Sequence, residues 1–263
     1  MNKLLIAILF LLFGGSQFVY TQKWKLTRHE VHFGLGTVNV FGDIGGTADP
    51  TNMWGLKDIR IKETGLSVYV AARYKLNPQT AVKLNLIYGF TKGSDIGSKN
   101  ATRDFSYKTS LFEPSVQYEY YFLPEDRENR GSILYNRRGM YNNFNVVAAY
   151  VFIGVGGVMA NPKVSYGSNA TQYETIRGFG IAPVIPIGLG LKMTLDKYWA
   201  FGFEFGRRFA LGDNLDGLTT SFSKHNDTYY FGVFHAVYRL ESDRYGKLLI
   251  FKKEKMPYQR RRN

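Results

Sequence analysis

Residues 183–209 read PVIPIGLGLKMTLDKYWAFGFEFGRRF, and bulky and tiny side chains alternate along them. Ile187, Leu189 and Leu191 share one parity, with Gly188 and Gly190 on the other. After the turn LDKYW, Phe201, Phe203 and Phe205 alternate with Gly202, Glu204 and Gly206. A period of two marks a strand, whose successive side chains point to opposite faces. A soluble sheet would carry polar residues on its second face. Here that face holds glycines and a few charges, so the bulky face meets hydrocarbon and the small face meets a crowded interior.

The same alternation recurs along the chain. One strand is expected over residues 30–41, with Val31, Phe33 and Leu35 opposite His32, Gly34 and Gly36. A second covers 64–76, with Leu66, Val68, Val70, Ala72 and Tyr74 opposite Ser67, Tyr69, Ala71, Arg73 and Lys75. Others fall at 81–91, 106–122, 144–159, in the two arms of the 183–209 hairpin, and at 228–240. The connections NPQT and LDKYW are tight, whereas GDIGGTADPTN, KGSDIGSKNATRD and LGDNLDGLTTSFSKHND belong to long ones. Tight turns at one end and long loops at the other mark outer-membrane barrels, the tight turns being periplasmic. The connection 123–143 is the exception, long on the tight-turn side. The fold class is therefore all-β: an eight-stranded up-and-down antiparallel transmembrane β-barrel with a basic C-terminal periplasmic tail. An exported β-sandwich is the competing all-β fold, but it has no use for apolar and aromatic residues along one face of every strand.

Eight strands enclose a narrow interior that side chains fill. By parity, Arg73, Lys83, Glu113, Glu119, Lys192, Glu204 and Arg208 point inward. Buried charges persist when paired, so a ladder of ion pairs plugging the lumen is expected rather than a conducting pore. Ile187, Leu189, Leu191, Phe201, Phe203 and Phe205 are then lipid-facing. Tyr198 and Trp199 flank the tight turn at the level of an interfacial aromatic belt.

Composition agrees with this picture. The chain holds 19 Tyr, 20 Phe and 28 Gly, yet beyond its start no apolar run is long enough for a spanning helix, which needs about 20 residues. The start, MNKLLIAILFLLFGGSQFVYTQ, joins Lys3 to an apolar core over residues 4–13 and then small residues. This reads as a secretory signal peptide, expected to be cleaved after Thr21. Three regions follow: signal 1–21, barrel 22–240 and tail 241–263. With no cysteine, neither a disulfide framework nor a lipoprotein anchor is available. The net charge of +13 would suggest nucleic acid in a cytoplasmic protein. Export redirects it to anionic lipid headgroups, cell-wall polymers or acidic proteins. The tail ESDRYGKLLIFKKEKMPYQRRRN carries eight basic and three acidic residues. Its Lys252, Lys253, Arg260, Arg261 and Arg262, with Arg137 and Arg138 of the 123–143 connection, are candidate partner contacts.

Several stretches, in order, resemble one known family. They are HEVHFGLGTVNVFGDIGG, AARYKLNPQTAVKLNLIYGFTKGSD, IPIGLGLKMTLDKYWAFGFEFGRRFALGDNLDG and NDTYYFGVFHAVYRL. Together they are similar to PorG, the outer-membrane barrel component of the type IX secretion system. FGDIGG after the first strand and LGDNLDG after the seventh are the more specific pieces. The resemblance implies a non-enzymatic protein in the outer membrane. Its partners would be outer-membrane lipid and the periplasmic ring lipoprotein and ring subunits, in support of protein export and, in some lineages, gliding. The basic tail matches no motif of that family. The alternative is a small structural or adhesion-type barrel, or a narrow porin.

Chemistry for catalysis is sparse. His29, His32, His225 and His235 are the only histidines, and no acidic pair at metal-ligand spacing joins them. His225 lies near Ser221, Ser223 and Asp227, but sequence neighbours seldom supply triad geometry. The glycine-rich GLGTVNVFG and IGVGG lack the Gly-Lys-Ser/Thr ending of a phosphate loop. No cofactor, metal or nucleic acid is expected.

Overall fold

A computed structural model of the chain describes residues 22–41, 44, 63–96, 98, 105–125, 135–136, 139–140, 146–166, 175–176, 178–196, 198–212, 215, 217–219, 227–243 and 245–249. The expected signal 1–21 and the contact candidates Arg137, Arg138, Lys252, Lys253, Arg260, Arg261 and Arg262 lie outside the described residues, as does His225.

Eight long strands form the barrel: β1 His29–Phe41, β2 Gly65–Lys75, β3 Thr80–Ser94, β4 Phe105–Leu123, β5 Val146–Tyr166, β6 Gly180–Thr194, β7 Trp199–Ala210 and β8 Thr228–Leu240. Each pairs antiparallel with its sequence neighbours, and β1 closes on β8 from His29↔Leu240 to Phe41↔Thr228. Closure leaves no sheet edge exposed. It also satisfies backbone N–H and C=O groups between strands, which a hydrocarbon solvent demands.

The strands overrun their expected limits at the long-connection end. β5 runs to Tyr166 rather than 159, and β3 to Ser94 rather than 91. Beyond Met159 the outward positions become Asn161, Lys163 and Ser165, so the hydropathy alternation fades while the pairing continues. Strands here outlast the apolar layer. The ladder lapses on one side of two strand prolines, although it runs unbroken through Pro162 and Pro183. Between β4 and β5 it breaks from Phe112↔Met159 to Ser115↔Gly156, across Pro114. Between β5 and β6 it breaks from Ile153↔Ile187 to Gly156↔Val184, across Pro186. A proline has no N–H to donate.

The lumen departs from the expected ladder of charges. Toward the long-connection end it is lined by a buried apolar cluster that includes Val38, Ile87, Leu111, Val158, Phe231 and Val233. Charged groups concentrate toward the tight turns. Glycine makes room for the largest inward groups. A Cβ on Gly190 would stand 2.2 Å from the Tyr150 ring, and one on Gly202 2.3 Å from the His235 ring.

At the tight-turn end a 3-10 helix, Gln22–Thr27, precedes β1. Arg28 stacks on Trp24 (4.8 Å) and Tyr74 (4.7 Å) and donates from Nε to the Lys75 carbonyl. The first tail residues fold back on this segment. Ser242 N–H donates to the Leu26 carbonyl (3.0 Å), and the Ser242 hydroxyl lies 3.1 Å from His29 Nδ1. Asp243 Oδ1 accepts from the N–H groups of Tyr245 and Lys247, closing a turn in which Gly246 adopts φ +80°.

Candidate functional site

The outer surface of the barrel is apolar on every strand. Leu35, Leu66, Leu189 and Phe234 are 60–72% exposed, a degree that water would penalise but lipid would not. A continuous apolar girdle of this kind is far larger than the patches monomeric soluble proteins display. On β4 the outward row runs Phe122, Tyr120, Tyr118, Val116, Pro114 and Phe112 before turning polar at Ser110. The molecule is a transmembrane β-barrel. Ile187, Leu189, Leu191 and Phe201 are exposed on this girdle, and Phe203 and Phe205 lie half-buried on it because Phe234 (4.6 Å) and Tyr230 (5.6 Å) cover them. Trp199 packs on Tyr238 (4.9 Å) and Phe33 (6.2 Å) at the tight-turn rim. Tyr198 stacks on Tyr238 and donates its hydroxyl to Glu241.

Inside, Arg73, Lys83, Glu113, Glu119, Lys192, Glu204 and Arg208 are all buried in the lumen. Arg73 is the hub. Its guanidinium lies 3.1 Å from Glu30, meets both oxygens of Glu119 (2.7 and 2.9 Å), and donates to Tyr150 Oη (3.0 Å). Lys83 bridges Glu119 (2.9 Å) and Glu204, and Tyr150 Oη donates to Glu204 Oε1 (2.6 Å). Glu113 and Arg208 stand apart in the apolar half, 3.7 Å from each other, with Tyr229 donating to Glu113.

Four further members complete the network. Glu30 accepts from Lys192 (3.0 Å) and lies 2.8 Å from Lys75 and 3.4 Å from Arg239. Lys75 belongs to the inward parity of its strand. Glu30 and Arg239 do too, but they sit one residue from the ends of their strands, where parity alone gives weak notice. Glu125 belongs to no strand. A register shift between Tyr121 and Leu123 ends the β4–β5 ladder; such irregularities re-aim a chain. Glu125 then reaches the tight-turn mouth of the lumen, where Lys192 (2.8 Å), Arg239 (2.7 Å), Lys75 (3.1 Å) and the Thr194 hydroxyl (3.1 Å) surround it. Burial alone would raise its pKa. Lys192, Lys75 and Arg239 outweigh that and hold the carboxyl well below the usual range. The long 123–143 connection is thereby tied at its first residues into the barrel mouth.

This arrangement braces the strands against one another across the lumen. Its carboxylates and cations pair with one another across the lumen, and no group of three metal-ligating side chains occurs among the described residues. His32 and His235 lie with ring centroids 5.0 Å apart in the lumen beside Tyr69.

A family model described as "Domain of unknown function (DUF6089)" matches residues 3–238. The chain belongs to the DUF6089 family. No curated protein matches this DUF6089 chain in sequence. Among solved structures its barrel is similar to the outer membrane protein OprG from Pseudomonas aeruginosa, at 12% identity over 81% of this chain and 96% of that one, TM-score 0.45. Neisserial surface protein A is similar at 11% identity over 80% and 96%, TM-score 0.44. Ail, the attachment invasion locus protein of Yersinia pestis, is similar at 10% identity over 80% and 97%, TM-score 0.41. These likenesses are of barrel architecture.

Proposed function

We propose that this DUF6089 protein is a non-enzymatic outer-membrane anchor of a type IX secretion apparatus, holding the periplasmic ring lipoprotein and ring subunits at the membrane. The latch at Glu125 is the observation that carries this reading. The lumen is filled and the girdle faces lipid, so recognition falls to the two ends of the barrel. At the tight-turn end the long connection is fastened into the mouth by Lys75, Lys192 and Arg239, and Ser242 bonds back to Leu26 and to His29 at the start of β1. A braced end with a fastened long segment suits a docking platform, and the resemblance of the ordered strand motifs to PorG supports the same assignment. Crosslinking in intact membranes, pull-down of this protein and mass spectrometry are expected to recover periplasmic ring subunits, and deletion is expected to abolish secretion. Normal secretion in the deletion strain sinks the reading.

The alternative, a small structural or adhesion-type barrel or a narrow porin, puts function at the long-connection end or in the lumen. The buried ion pairs disfavour the porin form; large stable open states in a planar bilayer would restore it. Exchanging 123–143 and 241–263 for unrelated segments separates the rest, since unchanged secretion after the exchange favours the adhesion form.

A further inference from the structure

At the long-connection end, the outward faces of β3, β4 and β5 change character in register. Tyr88, Phe112 and Met159 form an apolar row; the next row outward is Phe90, Ser110 and Asn161. The row after it is Lys92, Lys108 and Lys163, with Lys92 directly opposite Lys108 and Lys108 directly opposite Lys163. Ser94, Ser106 and Ser165 form the row beyond. Like charges directly opposite on neighbouring strands repel and destabilise a sheet. All three lysines are exposed, and no carboxylate among the described residues pairs with any of them. Glu63 borders the same groove, beside Lys92 and Lys163. Arg207, the outward cation at this end on β7, is by contrast stacked on Phe209 (5.0 Å) and Tyr230 (5.5 Å) and bonded to Thr228.

Successive outward rows are roughly 7 Å apart along a strand, so the lysine row lies just past the edge of the apolar girdle, at headgroup depth. Below it the groove wall is Leu66 and Phe90; beside it are the hydroxyls of Ser110, Ser106 and Ser165. Apolar wall, cation row and hydroxyl row, in that order, match acyl chain, phosphate and sugar or glycerol hydroxyls. We propose that Lys92, Lys108 and Lys163 form a binding site for the phosphate of an anionic lipid in the leaflet at the long-connection end, and that this bound phosphate relieves the repulsion within the row. Lysine serves phosphate as a compact point charge, and three of them on rigid strands hold their positions without a loop to order. The inference rests on the outer-membrane placement proposed above but not on any role in secretion.

The test uses the full chain refolded in zwitterionic detergent, wild type against the K92Q/K108Q/K163Q variant, with native mass spectrometry after addition of bisphosphorylated lipid A, its dephosphorylated form, or inorganic phosphate. Wild type is expected to retain bisphosphorylated lipid A with affinity on the order of a hundredfold above the variant, and to retain neither the dephosphorylated lipid nor inorganic phosphate. Without lipid the variant unfolds at a higher urea concentration than wild type, and lipid A closes that gap. Equal lipid A retention by both proteins, with heat-modifiable migration showing both folded, overturns the proposal, and so does tight binding of inorganic phosphate alone. A secretion defect in the deletion strain with no lipid A retention defeats this site and leaves the anchor reading standing; fractionation of the protein with another membrane defeats the anchor reading.

Discussion

The two halves of the lumen solve the same packing problem in opposite ways. Toward the tight turns, Glu30, Glu119, Glu125 and Glu204 interlock with Arg73, Lys75, Lys83, Lys192 and Arg239. Toward the long connections, Val38, Ile87, Leu111, Val158 and Phe231 pack as an ordinary apolar core. The apolar half gains by excluding water and tolerates changes of shape in proportion to lost volume. The charged half is held by mutual compensation, so its members are secure together and costly apart. It is also the half nearest the tight-turn mouth, where Glu125 lets the connection share the brace.

The largest expected effect strikes the charged half. Lys83→Met leaves the Glu204 carboxylate to the Tyr150 hydroxyl and to Arg73 3.7 Å away and should cost about 3–5 kcal/mol of unfolding free energy, whereas the double change Lys83→Met with Glu204→Met should recover most of it. Urea unfolding of the refolded barrel in lipid vesicles measures both. A double variant no better than the single one would mean that the charges are not compensating each other as a pair. In the apolar half, Leu111→Ala should cost about 3 kcal/mol through lost burial and a residual cavity. Its penalty should stay the same from neutral to acid pH.

Glu125→Gln should be milder, about 2 kcal/mol, because a neutral amide keeps part of the hydrogen bonding to the cations. Its pH dependence is the sharper readout. The folded pKa of Glu125 is depressed from its ordinary value of 4.5, so its contribution is full above that value and is lost as pH falls through the lower folded one. The gap between wild type and Glu125→Gln should therefore hold at neutral pH and shrink only in strong acid. A gap already closing near pH 6 would contradict the depressed carboxyl. The smallest effect belongs to the outer rim: Trp199→Ala removes ring contacts with Tyr238 and Phe33 and should cost about 1 kcal/mol, read from the same unfolding curves.

The alternation of side chains makes the strands and their two faces legible in the sequence. In residues 183–209, the small parity is inward because Tyr150 and His235 need the space that Gly190 and Gly202 leave. The apolar half is less legible. Inward Val, Ile and Leu look the same as outward ones in a pattern that expects only bulk outside and small residues inside, as at Ile87 and Leu111. Strand ends escape the pattern where hydropathy stops alternating but pairing does not, as beyond Met159.

By itself the sequence determined what is local: period-two runs, tight turns at NPQT and LDKYW, and the inward parity of the seven charges. Each depends only on neighbours along the chain. The tertiary structure alone decided which charge meets which. Lys192 reaches Glu30 across the barrel, Glu125 enters the mouth from outside any strand, and three lysines from separate strands fall into one row. Parity fixes a face but not a register, and closure of β1 on β8 sets the register for all eight strands at once. Contacts across the lumen and rows around its rim therefore exist only in the closed barrel.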